Sequence, residues 1–108
     1  MPNAQRGEVW LVDLGLAAKT RPALIASVPF LDHERAVYLV LPHTTAVRST
    51  RFEVALDLRW LERGAFDAQG IRNVPGPVLI RRLGALSDAQ MIQVEAAICR
   101  VFGMKPVG

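Results

Sequence analysis

Arginine carries nearly all the positive charge in this chain: of thirteen basic residues, only Lys19 and Lys105 are lysine. A guanidinium presents fixed donors that meet a phosphate or carboxylate two at a time, so the bias favours planar recognition over diffuse attraction. Arg48 and Arg51, with Ser49 and Thr50 between them, form a compact basic patch that suits either phosphate contact or an ordinary solvated loop. His43 is a side chain of the type that moves protons near neutral pH, with a packed or solvent-facing imidazole as the competing reading. Trp10 and Trp60 could stack on bases as in single-strand binders, although Trp10 lies in an alternating segment that suits a core. Arg81 and Arg82 suit a surface or a protein interface better than a nucleic acid.

Other chemistries are set aside by what is scarce. The single cysteine, Cys99, allows no internal disulfide and no cysteine-built metal site, and its apolar periodic surroundings suit a small buried hydrophobe. His33 and His43 lie in different segments, so a zinc site would have to recruit carboxylates, and neither metal nor cofactor is expected. No apolar run approaches the roughly 18 to 20 residues of a membrane span, since Glu8, Asp13, Arg35 and Arg51 interrupt the hydrophobic stretches. The polar start, Met1 to Arg6, lacks an apolar signal core, which implies a cytoplasmic protein. With 108 residues, a net charge of +3 and no repeat or linker tract, the expectation is one domain with its core over about 6–102.

The elements that must position these groups can be read in order. Glu8 to Asp13 is rich in β formers and reads as a strand, followed by a loop over Leu14 to Thr20. Arg21-Pro22 opens a second strand, Ala23 to Val28, ended by Pro29; a proline there fits a strand start or sheet edge. Asp32 to Arg35 is a polar turn. Ala36 to Leu41 is apolar enough to be buried on both faces, with Pro42 as its stop. Should that strand continue, His43 and Thr44 would point to opposite faces. Phe52 to Asp57 alternates as a fourth strand. Leu58 to Phe66 is ambiguous, and Asp67 to Pro77 is loop or short edge strand. Val78 to Leu83 follows, ended by Gly84.

The last element is a helix over about 88–102. Ser87 and Gln90 form a capping box, Met91, Val94, Ile98 and Val101 recur at helical spacing beside Ile92 and Phe102, and Gly103 stops it. Successive strands and one terminal helix describe a mainly β domain, a small barrel or strongly twisted antiparallel sheet with the helix packed on it. A core this thin is relieved by dimerisation.

A family resemblance runs through the same segments. Arg6-Gly7-Glu8-Val9-Trp10-Leu11-Val12-Asp13, then Arg21-Pro22-Ala23-Leu24-Ile25, resembles the opening of the MazF/PemK toxin endoribonucleases. Val40-Leu41-Pro42-His43-Thr44-Thr45, Gln69 with Arg72, and Arg82-Leu83-Gly84-Ala85-Leu86 before a capped helix are similar to later family segments in the same order. The resemblance implies an SH3-like β-barrel of the MazF, Kid and CcdB type, a homodimer, and metal-independent, sequence-selective cleavage of single-stranded RNA. It also implies an antitoxin partner whose disordered tail covers the RNA groove. Catalysis then falls to Arg21, stabilising the phosphorane, and to Thr44, orienting a phosphate oxygen, with Thr45 the alternative threonine. Lys19, His43, Thr45, Arg48, Arg51 and Gln69 become the candidate RNA-binding residues.

The departures lie at the rim. The loop Leu14 to Thr20 is shorter than is usual in the family and carries Lys19 where an acidic residue is common; Val78 stands where an arginine is common. Two other readings stay open: a toxin similar to the CcdB gyrase poisons, acting by protein contact without cleavage, and an SH3-like module that binds only protein.

Overall fold

The structure is a computed structural model and describes residues 3–15 and 19–105. The chain runs β1 (Glu8–Asp13), β2 (Thr20–Ile25), β3 (Val37–Thr44), β4 (Glu53–Ala55), β5 (Ala65–Asp67), β6 (Arg72–Pro75), β7 (Leu79–Ala85) and α1 (Asp88–Phe102). Two short 3-10 turns, Ala68–Gly70 and Gly76–Val78, flank β6. All pairings are antiparallel, in the order β4-β5-β3-β2-β1-β7, with β6 also pairing β3.

Curvature follows from the connections. β6 and β7 pair with β3 and β1, on opposite sides of β2, yet only the three-residue Gly76–Val78 turn joins them. A flat sheet cannot satisfy both, so it curls into the barrel-like shape expected, assisted by two register shifts between β1 and β7. Val12, Ala23, Ile25, Val40, Val74 and Leu79 fill the concave interior. On the other face Val9, Leu24, Leu41, Val54 and Phe66 pack against Met91, Val94 and Ala97 of α1. The apolar runs of β2 and β3 thus answer to burial on both faces.

The helix begins and ends where the caps place it. The Gln90 N–H donates to Ser87 Oγ (3.1 Å), the Gln90 side chain accepts from the Ser87 N–H (2.8 Å), and Gly103 takes a left-handed φ of 67°.

Several strand bounds differ from the sequence reading, each for a tertiary reason. β2 starts earlier and ends at Ile25, leaving Val28 69% exposed, because the partner β1 reaches Thr20 through Asp13. Pro22 is accommodated because the register with β3 begins only at Ala23. Pro42 does not stop β3. On one side it faces Ala23; on the other β6 ends opposite Val40 and β5 begins opposite His43, so Pro42 lies in the gap between partners. The Ala68–Gly70 turn covers that gap, so closely that a Cβ on Gly70 would lie 2.8 Å from Pro42 Cγ. β4 is trimmed to Glu53–Ala55, the length of its partner β5. β7 runs through Gly84 to Ala85, and Gly84 is needed there because Trp60 occupies its side-chain space, an added Cβ meeting the indole at 2.5 Å. Trp10 is partly buried, with its Nε1–H donating to Glu8 (3.0 Å). Within the described residues no helix is long and apolar enough to cross a membrane.

Candidate functional site

The site forms where the ends of β2 and β3 lie side by side. Their register pairs Ala23 with Pro42 and Leu24 with Leu41; carried two residues further it sets Arg21 opposite Thr44. Both side chains line two adjoining clefts of about 290 Å³ each, together with Ala46. The first cleft continues over Pro42, Arg48, Thr50, Glu53, Asp67 and Gln69. The second continues over Thr20, Pro22, His43, Thr45, Leu61 and Glu62. Arg21 and Thr44 are therefore the wall between the clefts.

Local hydrogen bonds fix this wall. The Ala46 N–H donates to Thr44 Oγ1 (3.1 Å), which orients the hydroxyl and leaves its proton to be donated outward. Glu53 accepts from the N–H groups of Arg48 and Thr50, holding that turn against β4. Asp67 Oδ1 accepts from the Gln69 N–H (3.0 Å), closing the 3-10 turn that carries Gln69 into the first cleft. Gly64 meets the far side of β3: a Cβ there would lie 2.2 Å from the Thr44 carbonyl oxygen and 2.6 Å from His43 Cε1.

His43 and Thr44 do point to opposite faces. The imidazole is only 5% exposed and packs edge-on against Phe66, its cross-strand partner, at 5.0 Å between ring centroids. It still lines the second cleft, because at the end of the strand residues of both faces reach the rim. Burial lowers its pKa, and the Glu62 carboxylate opposes that shift in part.

The structure gathers most of the candidates but not all. Arg21, Thr44, Arg48 and Gln69 meet at the first cleft, and His43 and Thr45 at the second. Arg51 lines neither: its guanidinium lies over the Phe52 ring, 4.6 Å from the centroid. Lys19 lines neither cleft, and its backbone closes the base of the β1–β2 loop, donating to Gly15 O (2.7 Å) and accepting from Leu14 N–H (2.9 Å). Residues 16–18, part of the Leu14 to Thr20 segment expected to be a loop, lie outside the described residues. Arg72 reaches from β6 to the Leu14 carbonyl (3.3 Å) and so braces the loop.

Sequence reasoning passed over Glu53, Asp67, Glu62 and Gly64. Glu53 had a legible signal, since the alternation of Glu53-Val54-Ala55 already sends it away from the core; Asp67 had one in its position two residues before Gln69. Glu62 and Gly64 sit in an irregular connection with no periodicity to place them.

Residues 5–102 match the model of the PemK-like, MazF-like toxins of type II toxin–antitoxin systems. The chain belongs to that family. It is similar to an endoribonuclease from a mycobacterial species, solved in complex with its cognate antitoxin. The TM-score is 0.82 at 25% identity, over 96% of this chain and 99% of that one. A Mycobacterium tuberculosis MazF toxin superposes with a TM-score of 0.78 at 25% identity, over 91% and 98% of the two chains. The MazE–MazF complex of Deinococcus radiodurans shares the fold, with a TM-score of 0.78 at 18% identity over 94% and 97%.

Proposed function

We propose that this chain is the toxin of a type II toxin–antitoxin pair and an endoribonuclease that cuts single-stranded RNA by internal transphosphorylation. The 2′-hydroxyl oxygen attacks the adjacent phosphorus. The bond to the 5′-oxygen of the next nucleotide breaks, leaving a 2′,3′-cyclic phosphate and a 5′-hydroxyl. The transition state needs added negative charge on the phosphorane to be met by donors already in place.

One observation carries this reading: Arg21 and Thr44 form the wall shared by two clefts, so a strand passing from one cleft to the other draws a phosphate across both side chains. Arg21 donates to the non-bridging oxygens through the fixed, planar donors of its guanidinium. Thr44, held by the Ala46 N–H, donates its hydroxyl proton to one of the same oxygens. Arg48 and Gln69 line the path of the strand on one side. On the other lies His43, whose burial disfavours the charged imidazole. A second copy of the chain completes the groove, an antitoxin segment covers it, and the protein acts in the cytoplasm, where messenger RNA is found.

Purified protein incubated with long RNA in EDTA tests the proposal. Fragments with 2′,3′-cyclic phosphate ends are expected, and Arg21→Ala should yield almost none over the same incubation. Intact RNA together with inhibited gyrase supercoiling would instead establish the protein-binding toxin.

A further inference from the structure

The turn before β4 closes on a single carboxylate. The Arg48 N–H donates to both Glu53 oxygens (3.1 and 3.2 Å) and the Thr50 N–H to Oε1 (2.9 Å). Ser49, between them, takes a left-handed φ of 57°, the kind of local twist that turns nearby N–H groups toward one anion. The chain then returns on itself, with the Glu53 N–H donating to Thr50 O (3.2 Å) and the Phe52 N–H to Thr50 Oγ1 (3.3 Å).

A carboxylate at this position is not what strand pairing asks for. Glu53 stands directly opposite Asp67 of β5, and like charges across an antiparallel pair oppose each other. The other charged groups around it are Arg48 on the turn, Arg21 across the first cleft and Arg100 of α1, which shares with Glu53 a cleft on the far side of β4. The N–H groups of Thr50 and Arg48 hold the Glu53 carboxyl below the usual glutamate range, so the anion is favoured despite Asp67.

We infer that Glu53 is a positioning residue for RNA: its carboxylate fills the anion cradle of the Arg48–Thr50 turn and so holds Arg48 on the wall of the first cleft, where its guanidinium meets the RNA backbone. This rests on the endoribonuclease reading for its ligand. With the cradle occupied from within, the turn offers RNA a side-chain cation and not its own amides. Glu53 touches no reacting atom. Its loss weakens the hold on RNA and leaves the chemical step intact.

Binding of a 2′-O-methyl RNA oligonucleotide, which cannot be cleaved, tests this by fluorescence anisotropy. Glu53→Gln keeps the side-chain length and removes the charge; it is expected to weaken binding about 3- to 10-fold, comparable to losing one phosphate contact. Arg48→Ala is expected to weaken binding similarly, and the double variant no further, because the two residues act as one unit. Unchanged binding in Glu53→Gln, or losses that multiply in the double variant, would overturn the inference. A second measurement needs no RNA. The Arg48 and Thr50 amide resonances should shift together on acidification, with a midpoint below that of an ordinary glutamate, and Glu53→Gln should abolish the shift. A midpoint in the ordinary range would equally overturn it. Failure of the endoribonuclease reading appears separately, as RNA left intact by the unaltered protein.

Discussion

At the scale of single residues, the proposed cleavage depends on two donors of different kinds. In that mechanism Arg21 supplies charge and Thr44 a fixed proton, and each serves a phosphate oxygen most strongly when that oxygen gains charge. Arg21→Ala should lower the single-turnover cleavage rate by roughly 10²–10³-fold, the usual cost of removing one preorganised donor. Thr44→Ala should cause a strong loss of the same kind, and a rate within twofold of the unaltered protein would remove Thr44 from the mechanism. His43 behaves differently because burial depresses its pKa in the folded state. The unfolded chain therefore binds the proton more readily, and folding stability falls as pH drops below the ordinary imidazole value. Thermal melts from pH 7.5 to 5 should show a decline that His43→Gln flattens; identical slopes in both proteins would contradict the assignment.

At the scale of elements, the critical contact is between an irregular connection and a strand. The Leu58 to Gly64 segment has no periodicity, yet Gly64 fits against the Thr44 carbonyl and the His43 ring with no room for a methyl group. Gly64→Ala should cost about 1–3 kcal/mol in stability by overpacking, and cleavage should fall with it because the obstruction meets the backbone of Thr44 itself. Ser87→Ala offers the contrast. It removes the α1 cap and should cost about 1 kcal/mol by denaturant unfolding while leaving cleavage unchanged, since α1 supports the sheet from the face opposite the barrel interior. A capping variant with lost activity and unaltered stability would show that α1 contributes to the site.

At the scale of the whole molecule, the proposed RNA site draws on both charge and curvature. A net charge of +3 is small, and Glu8 engages Arg82 (3.0 Å), while Arg6 pairs with Glu95 and also donates to Ala26 O (3.1 Å). Cations committed to such contacts add little to RNA binding. Affinity for a single strand should therefore fall only moderately with salt, each phosphate contact contributing about 0.7 to the logarithmic slope. A slope corresponding to about ten contacts per subunit would contradict a site built around Arg21 and Arg48. In the proposed mode of binding, the shape of the barrel complements so few charges. By curling, it sets the ends of β2 and β3 between the Arg48–Thr50 turn on one side and the 58–64 connection on the other, which gives the strand walls as well as charge.

Much of this is legible in the amino-acid sequence. The helix over Asp88–Phe102, its caps and the strand Glu8–Asp13 follow from local rules: capping chemistry, helical spacing and β propensity act within a few residues and need no partner. Arg21 and Thr44 stood out through the ordered family segments. The strand bounds were not legible, because a strand ends where its partner ends: Pro42 reads as a stop until the gap between β6 and β5 shows that no N–H is needed there. The placing of the cations beside the other candidates belongs to the tertiary structure. Arg48 and Arg51 flank the same short turn, but Arg48 lines the cleft with Arg21 and Thr44, while Arg51 lies over the Phe52 ring. The arginine excess with which the chain presents itself is thus a property of composition, whereas the curled sheet decides that the Arg48–Thr50 turn lies beside the ends of β2 and β3, so that Arg21, Thr44 and Arg48 line one cleft.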